Sequence, residues 1–219
     1  MDLSLRPHRD VRAAHAAGAL LFALGLAACG GGAVGSASAQ GTVGGSAYDA
    51  VSFSEATAVV VHSAACVSNS GTQDISAVEI LLSSRPGLCA SESSGVQPAS
   101  NTLLVLDIEE SASATSAAIP IGTYAVGSGA SSGTDVNGNA YSASATAEIL
   151  DATCASSSGG NSRGGTITLT SIANGEVAGS FQIDFDDGAL TGTFSTAACP
   201  LTDLEFCVAR SASLSCAAP

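Results

Sequence analysis

The sequence predicts an all-β fold, an antiparallel β-sandwich or up-and-down barrel of about nine strands, on three observations. Apolar and polar residues alternate with period two across residues 164–195. That alternation is broken at Asn174-Gly175 and at Asp186-Asp187-Gly188, residues suited to tight hairpin turns. No long apolar repeat of helical period with caps at its ends competes with this pattern.

The N-terminus reads as an export signal. Arg6, Arg9 and Arg12 make a positive leading region, and residues 16–28, AAGALLFALGLAA, carry no charge. Thirteen residues are too few for a permanent transmembrane helix, which takes about 20. Leu26-Ala27-Ala28-Cys29 resembles the lipobox of bacterial lipoproteins. An ordinary secretory signal would instead end in an Ala-x-Ala-like site. The resemblance implies cleavage before Cys29, a diacylglyceryl group on its thiol, and a membrane as partner through that lipid. Two or more acyl chains make such an anchor durable. Gly30, where an Asp would commonly retain such a protein at the inner membrane, points by the same resemblance to the outer membrane of a Gram-negative envelope. The domain would then face the periplasm or the outside. Residues 29–41 read as the lipidated Cys and a flexible Gly/Ser/Ala tether, spanning about 20 Å, with a single folded domain over 42–219.

Removing 28 of the 219 residues leaves 191, enough for one domain with its own core. The signal holds three of the six basic residues and two of the 19 acidic ones. The remainder has three Arg, no Lys and 17 carboxylates, a formal balance of −14. Such a surface repels nucleic acid and anionic headgroups, so neither is an expected partner.

Ahead of the 164–195 meander, strands are expected at Val51–Phe53, 59–62, 78–82, 103–108, 121–126 and 141–150. In the last of these, Tyr141, Ala143, Ala145, Ala147 and Ile149 share one face. In the meander, Ile167, Leu169, Val177, Phe181, Ile183, Phe185, Leu190 and Phe194 form a buried face opposite a lawn of Thr and Ser. Gly122-Thr123-Tyr124, Gly179-Ser180-Phe181 and Gly192-Thr193-Phe194 repeat a Gly-x-aromatic strand start. In this the chain resembles small exported β-rich lipoproteins of unknown function, a resemblance that implies no chemistry.

Six cysteines remain besides Cys29: Cys66, Cys89, Cys154, Cys199, Cys207 and Cys216. An even number in an exported chain reads as three disulfides. A Cys66–Cys89 bridge and one within the Cys199/Cys207/Cys216 group are the expected pairings. Zinc is disfavoured, because no C-x-x-C occurs and His62 is the one His outside the signal.

Catalytic patterns lack their context. Gly129-Ala130-Ser131-Ser132-Gly133 matches the G-x-S-x-G elbow, but a turn sequence follows where a helix is needed, and His62 lies upstream of Ser131. His62 reads as a strand-end residue. Asp135-Val136-Asn137-Gly138-Asn139 opens like a calcium loop, yet Ala140 and Thr146 stand where Gly and Glu are required. Asp184, Asp186 and Asp187 could gather on calcium, but they also suit a plain hairpin turn. Glu109-Glu110 are adjacent, which in a strand sends them to opposite faces. No catalytic residue, metal ligand or cofactor is expected. The reading is a lipid-anchored exported domain with a non-catalytic interaction or envelope-structural role. The alternatives are a binding module for calcium or a small apolar ligand and, third, a hydrolase.

Overall fold

Alternating apolar positions turn most of the chain into two sheets that share one core. A computed structural model describes residues 35–48, 51–68, 71–111, 118–127, 132–202, 206–207 and 215–216. The first strands are β1 (Ser36–Val43), β2 (Ser46–Ala47) and β3 (Val51–Phe53). A long hairpin follows, β4 (Glu55–Ser68) and β5 (Gly71–Ser83), then helix α1 (Leu88–Ser94) and β6 (Val96–Gln97). Next come β7 (Thr102–Ser111), β8 (Gly122–Ala125), β9 (Ser132–Thr134), β10 (Ala140–Leu150) and β11 (Ser156–Asn161). The meander is β12 (Gly164–Ala173), β13 (Glu176–Phe185) and β14 (Gly188–Ser195), and short β15 (Ala197–Ala198) and β16 (Ser215–Cys216) come last.

Sheet one runs β2-β1-β14-β13-β12-β8, with β3 also on β1. Sheet two runs β11-β10-β7-β5-β4-β15, with β9 also on β10. Neither closes on itself, so of the two expected architectures the molecule adopts the sandwich and not the barrel. All of the expected strands are present, most of them longer than expected, although β3 keeps its expected bounds and β8 is shorter than 121–126; short strands raise the count above nine. The meander forms as expected, with Asn174 (φ 55) and Gly175 (φ 80) supplying the two left-handed residues of its first turn.

Between the sheets, Phe181, Ile183, Phe185, Leu190 and Phe194 of sheet one pack in one cluster with Val78, Ile80, Leu104, Leu106 and Ile108 of sheet two. The alanines of β10, at 143, 145 and 147, leave room for this bulk. Burying one such large side chain stabilises the fold by about 1.5–3 kcal/mol.

Sheet two is apolar on its other face as well. There Val59, Val61, Ala77, Leu81 and Leu103 are covered by Leu88 of α1, Cys199 and Phe206. A bulge in β4 makes part of this possible: Val61 pairs with Ala77 but Ala64 pairs with Ile75. The one extra residue reverses the side to which later positions point. Ala56 and Ala58 therefore face the inner core, while Ala64 and Cys66 join the outer cluster.

Three expectations are corrected. The segment 36–41 is not tether: it belongs to β1, which pairs with β14 over Ser36↔Ser195 to Gly41↔Leu190. Its Ser, Ala and Gly residues hold their place through backbone pairing to a partner some 150 residues later, which local pattern does not show. All six cysteines are bridged, but as Cys66–Cys207, Cys89–Cys199 and Cys154–Cys216. The expected Cys66–Cys89 and intra-cluster bridges do not form, because both Cys66 and Cys89 face the outer layer that Cys199 and Cys207 cover. His62 is no strand end; it lies exposed at the β4 bulge.

Candidate functional sites

Cys29 and Ser131 lie outside the described residues. Of the other residues singled out in the sequence, Asp186 is engaged by Arg163, which donates from Nε and Nη2 to its two carboxylate oxygens, both at 2.5 Å. The pair is exposed, and the Arg163 hydrogen bonds hold the Asp186 carboxyl below its usual range. The Arg163 backbone N–H donates to the Asp184 carbonyl at 2.7 Å. Among the described residues, no three of His, Cys, Asp and Glu gather as metal ligands do.

The Asp135 loop is a hairpin turn held by its own first residue. Asp135 Oδ1 accepts from the backbone N–H of Asn137 at 2.9 Å and of Asn139 at 2.7 Å. Its Oδ2 accepts from the Asn139 side-chain amide at 3.3 Å. Desolvation alone would raise the Asp135 carboxyl, but the hydrogen bonds from Asn139, Asn137 and Glu110 together hold it below its usual range.

The structure gives new weight to Glu110, which the sequence offered only as half of an adjacent pair pointing to opposite faces. Glu110 follows Leu104, Leu106 and Ile108 on the inward face of β7 and is 3% exposed. In register it lies between Ser76 of β5 and Tyr141 of β10. As an anion it leaves Oε1 buried with no hydrogen-bond partner. As a neutral acid it shares a hydrogen bond with Asp135. Burial first, then the Asp135 charge and that hydrogen bond, push the Glu110 carboxyl up to about 7. Tyr141 meets Tyr124 of the other sheet edge-on, ring centroids 4.9 Å apart. The Tyr141 hydroxyl accepts from the Ala125 N–H at 2.8 Å, and the Tyr124 hydroxyl donates to the Pro120 carbonyl at 2.5 Å. Burial and the neighbouring carboxylates Glu110 and Asp135 raise the Tyr124 hydroxyl well above its normal range. The result is a polar, acidic end to an otherwise apolar core. The signal was present in the sequence: period two carries the face of 104, 106 and 108 on to 110.

The outward face of sheet one is different in kind. Ser38, Thr193, Ser180, Thr168 and Thr123 stand side by side across five strands. A second row reads Gln40, Thr191, Gln182, Thr166 and Ala125. Neighbours within a row are about 4.8 Å apart and the rows roughly 7 Å apart. Thr123 and Thr168 link hydroxyls at 3.0 Å. A shallow depression of about 580 Å³ is lined by Ser38, Gln40, Thr166, Ser180, Gln182 and Thr193. Neither row contains an ionisable side chain, in a chain whose formal charge is −13.

No protein-family model, curated protein or solved structure matches the chain.

Proposed function

We propose that this protein is an exported lipoprotein, anchored through Cys29, whose sandwich makes a non-catalytic contact through the uncharged outer face of sheet one. The asymmetry of the two sheets carries this reading. The outer face of sheet two is apolar and covered by α1, Cys199 and Phe206, whereas that of sheet one is an array of hydroxyl and amide groups that no element among the described residues covers. Three disulfides support an oxidising compartment, in agreement with an export signal. An array without charge suits an uncharged, hydrogen-bonding partner surface in the envelope, since it offers an ionic partner no counter-charge.

The chain has no lysine, which makes the proposal simple to test. Thr193→Lys places a single reactive amine in the middle of the array. The expected result is rapid labelling of the purified protein by an amine-reactive reagent and strong protection in intact membranes. A lysine at Asp74, exposed on β5 of the other sheet, serves as the comparison. Equal labelling of Thr193→Lys in both settings would refute an engaged face. Separately, Cys29→Ser should abolish lipid labelling and release the domain from the membrane fraction; undiminished lipid labelling would refute the anchor.

A further inference from the structure

We propose that the facing carboxyl groups of Glu110 and Asp135 form a site for one hard divalent cation of the calcium class. The site would lie where β7 meets the β9–β10 turn, at the acidic end of the sandwich. Two acceptor groups from elements 25 residues apart are brought together there, one of them 3% exposed. Oε1 of Glu110 has no hydrogen-bond partner, so the ionised group leaves a buried oxygen whose charge is unmatched. The Arg163–Asp186 ion pair involves neither carboxylate.

A positive species between the two groups resolves the conflict. A shared proton satisfies one acceptor, while an oxygen-seeking cation satisfies both at once. Asp135 is already oriented by the N–H groups of Asn137 and Asn139, so it is held in place before a cation arrives. The Asn139 amide lies against the same carboxylate and offers a neutral oxygen when turned over. Asp135 is partly exposed, so water can complete a shell of the six to eight oxygens that calcium takes. The group contains no imidazole or thiolate, which favours a hard cation over zinc or copper. With two carboxylates as the charged ligands, affinity belongs to the weak range of extracellular modules, about 0.1–1 mM.

The test is a melting curve of the purified full chain at pH 8, with calcium chloride at about 10 mM against chelator. Wild type should melt about 2–5 °C higher with calcium. Glu110→Gln should lose that rise while keeping the fold, since an amide can donate to Asp135 where the acid did. Asp186→Asn, which removes an exposed carboxylate elsewhere, should keep it. Asp135→Asn gives the same information as Glu110→Gln if the latter does not fold. No rise in wild type would overturn the site. An equal rise in Glu110→Gln, or loss of the rise in Asp186→Asn, would overturn it in favour of general screening of an acidic surface.

Discussion

Phe181 and Gly192 face each other across β13 and β14, and Gly179 and Phe194 do so reciprocally two residues along. Antiparallel pairing sets each Gly-x-Phe against the other read backwards, so both phenylalanine rings lie over a glycine, whereas Tyr124 of the third copy faces Ile167. A Cβ at 192 would come within 2.4 Å of Phe181 Cζ, and one at 179 within 2.7 Å of Phe194 Cζ. Repetition of the motif in β13 and β14 thus has a packing cause. Gly192→Ala should destabilise the domain by about 1–3 kcal/mol, through overpacking. Urea denaturation would measure it, and a loss below experimental error would refute the account.

Thr196 closes the same hairpin system. Its hydroxyl accepts from the Val177 N–H at 2.8 Å and donates to the Val177 carbonyl at 3.0 Å, both buried. Thr196→Val preserves shape and removes both bonds. The expected cost is about 1–3 kcal/mol, because a buried N–H is left without a partner. The same denaturation series reads it, and Thr196→Ser should recover most of the loss.

Glu110 gives the fold a pH dependence of definite sign. Its folded-state value of about 7 lies above the ordinary 4.5, so the folded chain binds this proton more tightly than the unfolded chain. That contribution is complete below 4.5 and is lost as pH rises through about 7. The loss has a ceiling on the order of 3 kcal/mol. Asp135, held below its usual range, acts oppositely and only in acid, where its contribution fades as pH falls. In chelator, wild type should therefore lose melting temperature between about pH 5 and 8. Glu110→Gln should lose most of that slope, keeping only what Glu92, whose carboxyl burial also raises, contributes, and parallel curves for the two would exclude Glu110 as the source.

Removing Cys66–Cys207 tests the outer layer. The bridge closes a loop of 141 residues in sequence and ties the Phe206 segment over β4. A Cys66→Ala, Cys207→Ala protein should lose about 3–5 kcal/mol and bind a hydrophobic dye as Val59, Val61 and Leu81 become accessible. Unchanged dye binding would mean that Phe206 stays in place without the bridge.

Legibility followed the range of the determining contacts. The β12–β14 hairpins were readable because alternation and turn residues are local, and Asn174-Gly175 states its turn outright. β1 was not, since Ser36 to Gly41 carry no large side chain and owe their place to β14. The bulge at His62 was equally hidden, and with it the face of Cys66 and so the bridge to Cys207. Helix α1 is seven residues long and is capped by Gly87, whose N–H and that of Cys89 donate to the distant Glu55 carboxylate. Glu110 could be inferred from its strand, but its meeting with Asp135 required the tertiary fold.

The cysteine pattern carries a consequence for biogenesis. In chain order no native bridge joins two successive cysteines: 66 reaches past 89, 154 and 199 to 207, and 154 crosses both other bridges to reach 216. On the proposed export route, a chain threaded into an oxidising compartment from its N-terminus presents Cys66 and Cys89 before either true partner has emerged. An oxidant acting on that nascent chain makes the wrong bond. Correct maturation therefore calls for oxidation delayed until the last strands arrive, or for an isomerase that shuffles early bonds. The yield of native protein should depend on that isomerase far more than on oxidising power.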